Sequence, residues 1–188
     1  ILIKSIMGIF LLAGHTPKGV NQDPGAVGNG YREADLTMEF RDKVADILRA
    51  AGEKVYEDDD TLRLAAVLAD VKSTEKDVVV DIHFNAGVEA ATGVEVLVPT
   101  RSTQFERSMA RRVCTEFAAT MQIKDRGMKL ESDSARKVLA VFREAGINIL
   151  IEVCFISNKN DVAAYQKQKN VLATKLASII QEYEKVLV

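Results

Sequence analysis

The 188-residue chain has no excess of charge of either sign: 25 Lys and Arg stand against 27 Asp and Glu, a net charge of −2. Nucleic-acid surfaces normally carry a basic excess, so that class of partner is excluded. Cysteine is scarce too. Cys114 and Cys154 are too few for a disulfide framework, and they do not form a C-x-x-C pair. No apolar run reaches about 18 residues, the length a membrane-spanning helix needs. The apolar stretch Ile6–Ala13 lacks a basic leader and an A-x-A cleavage site and runs into Gly14-His15, so it reads as a buried strand rather than a signal peptide. With 47% hydrophobic and 28% charged residues the chain can fill a core and is not disordered. Its length suits one domain over residues 1–188, without repeats, low-complexity tracts or linkers.

What is present alternates in type. Ile9–Ala13, Lys54–Tyr56, Val78–Phe84, Gly93–Val98, Lys137–Phe142 and Ile147–Phe155 are short apolar or β-branched runs that predict six strands. Between them, Tyr31–Ala51 carries Leu36, Phe40, Val44 and Leu48 on one helical stripe and ends at Gly52. Thr61–Lys72 has helical spacing after the acidic run Glu57–Asp60, which suits a helix N-terminus. Ser102–Met121 and Asn170–Leu187 complete the helices, and the stretch between the first of these and Ala135 reads as a short loop. Strands alternating with helices, the central strands almost wholly apolar, predict an α/β fold. Its sheet is twisted and mostly parallel, with helices on both faces.

Four residues break these local patterns. His15 and His83 are the only histidines, and each lies at the carboxyl end of a predicted strand, where open α/β sheets bind ligands. Glu33 falls on the apolar stripe of its own helix, three residues before Leu36. It is either a first-turn carboxylate favoured by the helix dipole or one that is paired or metal-bound. Glu152 interrupts the run Ile149–Phe155 and needs a partner, whether an arginine such as Arg143 or a site. Two histidines and one glutamate form a three-ligand set that suits zinc and leaves a position for water. A further carboxylate off the metal would act as general base, and that combination describes hydrolysis.

The same residues sit in a recognisable order. Gly14-His15, Asp23-Pro24-Gly25-Ala26-Val27-Gly28 and Glu33 resemble the opening signature of zinc-dependent N-acetylmuramoyl-L-alanine amidases, the amidase-3 family of cell-wall hydrolases. Asp81–Ala86, Asp125–Lys129, Val138–Arg143 and Ile151–Asn158 resemble the family's later motifs, in sequence order across residues 9–185. The resemblance implies a six-stranded, mostly parallel sheet and one zinc ion. It implies His15, Glu33 and His83 as ligands, Glu152 as the catalytic carboxylate, and the muramoyl–L-alanine amide of peptidoglycan as substrate. By position, Asn85, Arg126 and Lys129 are candidates for the substrate groove. Asp81 shares a strand face with His83 and is a candidate to orient it. The chain departs from the family pattern at Thr16, Asp81 and Cys154. Cys154 is expected on the same strand face as Glu152, which raises a cysteine-ligand alternative. Two rival functions remain at this point: a zinc peptidase cutting within the stem peptide, and a catalytically silent wall-binding or regulatory module. No protein partner is inferable. The expected place of action is the cell wall, outside the cell or in the periplasm, with phage-lysin-type release as one route in the absence of a visible signal peptide.

Overall fold

The computed structural model describes residues 8–20 and 22–187, with side chains as far as Tyr183. Ile6 and Met7, at the start of the apolar stretch read as a buried strand, lie outside that range. Eight strands and four helices follow in the order β1 (Gly8–Ala13), β2 (Val27–Gly28), β3 (Tyr31–Arg32), α1 (Glu33–Ala50), β4 (Lys54–Glu57), α2 (Leu64–Asp70), β5 (Val78–Asn85), β6 (Val94–Val98), α3 (Gln104–Met121), β7 (Asp125–Leu130), β8 (Ile147–Phe155) and α4 (Lys159–Leu187). Six strands make one sheet in the order β4-β1-β5-β8-β6-β7, and β2 and β3 form a separate hairpin. All neighbours in the large sheet are parallel except β6 and β8. Six strands, one domain and a mostly parallel sheet agree with the expectation.

The two faces of the sheet are covered unequally. Alternate strand residues such as Ile9, Val80 and Ile149 point into a large core with Phe40 of α1, Phe117 of α3 and Leu176 of α4. The opposite face, with Phe10, Val79 and Leu150, packs against a thinner layer: Val67 of short α2, Val71 and Val141, with Leu62, Leu68, Leu139 and Phe142 partly buried around them. Apolar burial at about 25 cal/mol per Å² therefore stabilises mainly the three-helix side. None of the helices among the described residues is long and apolar enough to cross a membrane.

Several boundaries differ from the sequence expectation, each for a local reason. Lys137–Phe142 is not a strand. Its Ala140–Arg143 segment is a 3₁₀ turn whose buried Val141 and half-buried Leu139 and Phe142 cap the smaller core from outside. The sixth strand is β7, which the sequence shows as a polar loop. It pairs with β6 alone, and an edge strand tolerates such residues. The last helix starts at Lys159 instead of Asn170, because the Asn158 side chain accepts the backbone N–H groups of Asn160 and Asp161 as a cap. Helix α2 is shorter than Thr61–Lys72. The acidic run before it serves Arg41, whose buried guanidinium pairs with Asp58 at 2.8 Å and Asp60 at 2.9 Å.

Candidate metal and catalytic site

His15 follows the end of β1 with φ +74°, a left-handed backbone that a non-glycine residue adopts at some cost. Two backbone hydrogen bonds between Thr16 and Asp23 hold this bend. The Asp23 carboxylate accepts from Nδ1 of His15 at 2.9 Å, which leaves Nε2 facing Glu33 at 3.1 Å. Glu33 opens α1 directly after the hairpin and is 4% exposed. Its Oε2 accepts the N–H of Ala26, and its Oε1 accepts the N–H of Phe84. The same Oε1 lies 3.1 Å from Nδ1 of His83, whose Nε2 lies 3.3 Å from Asp81. One carboxylate therefore stands between two imidazoles, and each ring is held from behind by an aspartate.

Glycine makes the approach possible. A Cβ on Gly14 would overlap the His83 ring, and one on Gly25 would lie 2.5 Å from Cδ2 of His15 and 2.7 Å from Oε2 of Glu33. Ligand atoms of His15, Glu33 and His83 all lie within 4.8 Å of one another, compact enough to share one ion. The donor set of two nitrogens and one oxygen, walled by Asp23 and Asp81, fits zinc.

Glu152 lies across from His83 in the β5–β8 register and across from Glu95 in the β6–β8 register. Its Oε2 is buried and has no hydrogen-bond partner among the described residues. Burial pushes its carboxyl up to about 7, with the charges of Glu33, Glu95 and Asp81 adding to the shift and His83 opposing it. Burial would also raise Glu33, but hydrogen bonds from His15 and His83 outweigh it and hold that carboxyl far below the ordinary range. Burial lowers His83, but the charge and hydrogen bond of Asp81, the hydrogen bond to Glu33 and the charge of Glu152 together more than reverse the effect, leaving the imidazole well above 6.5. The two carboxylates thus differ in kind: hydrogen bonds favour the ionised form of Glu33, whereas burial favours the protonated form of Glu152.

His15, Glu33, His83, Glu152, Asp81 and Asn85 all line one cleft of about 910 Å³. Asn85 donates to Glu95 at 2.8 Å, and Arg126 grips the same carboxylate at 2.7 Å while stacking over Phe155. Arg126 and Lys129 stand outside the cleft lining. Cys154 is a correction. Between the pairs His83–Glu152 and Asn85–Phe155, one residue of β5, Phe84, opposes two of β8, Val153 and Cys154, and the extra residue breaks the alternation. Cys154 therefore turns into the three-helix core, fully buried, and does not join the ligand cluster. Among the described residues, Arg143 makes no hydrogen bond or ion pair with Glu152. Sequence reasoning passed over Glu95, although a carboxylate within Val94–Val98 is the same kind of break as Glu152.

Comparison with known proteins identifies the family and the fold. Residues 9–182 match the family model described as N-acetylmuramoyl-L-alanine amidase. The chain is 30% identical over 157 residues to the Bacillus subtilis protein YqiI, covering 81% of this chain and 72% of that one. It is 26% identical to the N-acetylmuramoyl-L-alanine amidase LytC of Bacillus subtilis, over 93% of this chain and 34% of that protein's length. Among solved structures, the catalytic domain of the CD27L endolysin targeting Clostridia difficile superposes with a TM-score of 0.77 at 22% identity, covering 94% of this chain and 97% of that one.

Proposed function

As the chain belongs to the N-acetylmuramoyl-L-alanine amidase family, we propose that it hydrolyses the amide between the lactyl group of N-acetylmuramic acid and L-alanine in peptidoglycan, using one zinc ion held by His15, Glu33 and His83. The observation that carries this reading is Glu152: a half-buried carboxylate whose buried Oε2 has no hydrogen-bond partner among the described residues and whose carboxyl is pushed up to about 7, in the same cleft as the ligand cluster. When bound, zinc supplies a Lewis acid that polarises the scissile carbonyl and acidifies water. Glu152 takes the proton from the attacking water and returns it to the departing alanine nitrogen. Asp23 and Asp81 keep the far nitrogens of His15 and His83 occupied, which fixes how the two rings face Glu33. On this reading the protein acts at the cell wall.

Mass spectrometry of products from purified peptidoglycan tests the assignment. Intact stem peptides beginning with free L-alanine are expected, and none after a zinc chelator. Fragments cut inside the stem would transfer the substrate assignment to a peptidase, and no products from zinc-loaded protein would favour a silent binding module.

The ligand assignment has a separate test in pH. His15 and His83 both sit above the usual imidazole range, so protons compete with zinc to a higher pH than at an ordinary histidine. Zinc affinity, measured against a chelating indicator, is expected to keep rising between about pH 6.5 and 8, by about tenfold per pH unit for each proton displaced. A flat profile would remove both histidines from the ligand set.

A further inference from the structure

The floor of the cleft is acidic, and every carboxylate there except Glu152 is engaged: Asp23 with His15, Glu33 with both imidazoles, Asp81 with His83 and Asp58 with Arg41. Two cations other than histidine line the same cleft, Arg63 and Arg136. They come from different walls. Arg63 immediately precedes α2, and Arg136 lies in the segment between β7 and β8. Both are exposed, and neither makes a side-chain hydrogen bond or ion pair among the described residues. Nearby Lys137, by contrast, is turned back onto the carbonyl of Ser132. Each arginine also has an exposed apolar neighbour on its wall, Leu64 at 45% exposure beside Arg63 and Val138 at 58% beside Arg136.

We infer that Arg63 and Arg136 are specificity residues that bind the carboxylates of the stem peptide, so that the preferred substrate is a peptide with free acid groups; the inference rests on the amidase reading of the site. An anionic peptide is repelled by the acidic floor and attracted to the two guanidiniums, whose planar forks suit carboxylates. Leu64 and Val138 provide apolar contact for short aliphatic groups between the acids. The charge pattern also orients the chain: the scissile amide lies over the acidic, metal-binding end, and the carboxylates lie toward the arginines.

The test compares N-acetylmuramoyl-L-alanyl-γ-D-glutamyl-L-lysine with the same compound carrying both carboxylates as amides, using zinc-loaded full chain. The acid is expected to have a kcat/KM about tenfold higher, expressed in KM with little change in kcat. Arg63→Gln and Arg136→Gln each lower kcat/KM for the acid more than for the amidated compound and so reduce that preference, and Arg63→Lys keeps part of it. Equal cleavage of both compounds by the unaltered protein, or equal losses on both in the variants, overturns the inference. If neither compound is cleaved, the amidase reading fails, and calorimetric binding of the acid and amidated peptides decides the inference alone. Preference for the acid that disappears in the glutamine variants upholds it; equal binding overturns it.

Discussion

Glu152→Gln is expected to retain zinc and lower kcat by about 10²- to 10⁴-fold, the usual contribution of a positioned general base. The substitution keeps the side chain's size and its place in β8, but a carboxamide cannot accept the water's proton. Metal content and turnover measured on the same preparation separate the two effects. Full turnover with zinc bound would remove Glu152 from the mechanism. The variant also has a stability signature. A carboxyl at about 7 in the folded chain, against an ordinary value of 4.5, means that the folded state binds this proton more tightly than the unfolded state. Its contribution to stability is therefore greatest below about pH 4.5 and declines as pH rises through 7. In metal-free protein, Glu152→Gln is expected to raise the melting temperature at pH 8 and to change it little at pH 4.

Gly25→Ala is the second large effect, and Gly30→Ala is its control. Both glycines have left-handed backbones, at φ +63° and +84°. An added methyl at Gly25 meets the His15 ring and the Glu33 carboxylate, whereas at Gly30 nothing lies within 4 Å. Both variants carry backbone strain of about 1–2 kcal/mol. Only Gly25→Ala is expected to displace two ligand side chains, with zinc affinity and turnover falling by at least about 10²-fold, since ångström-scale misplacement costs that much. Similar zinc affinity in the two variants would show that the turn does not set the ligand geometry.

The legible parts of the sequence were those where one strong rule acts alone. Val78–Phe84 and Ile149–Phe155 could only be interior strands, and Phe40, Val44 and Leu48 could only be a buried helical face. His15, Glu33, His83 and Glu152 were visible as breaks in those patterns, and the cleft brings all four together. The missed features depend on partners distant in sequence. β7 is a strand because β6 offers it an edge, not because its own residues favour one. Leu139 and Phe142 look like strand residues, but they are apolar because they cap the small core. The Asp58–Asp60 run becomes intelligible only once Arg41 is seen beside it. The turn of Cys154 into the core follows from a register shift that no periodicity reveals.

If the proposed substrate is right, the unequal covering of the sheet has a consequence for how the protein meets a solid polymer. Three long helices secure one side, so the other can remain a shallow, accessible platform without endangering the fold. Amide exchange should show this as slow exchange in β5 and β8 and fast exchange in α2 and the residue 131–146 segment. Those two thinly anchored walls are also where side chains can be exchanged at little thermodynamic cost, so on the proposed function they are the natural places for adjustment to different wall chemistries.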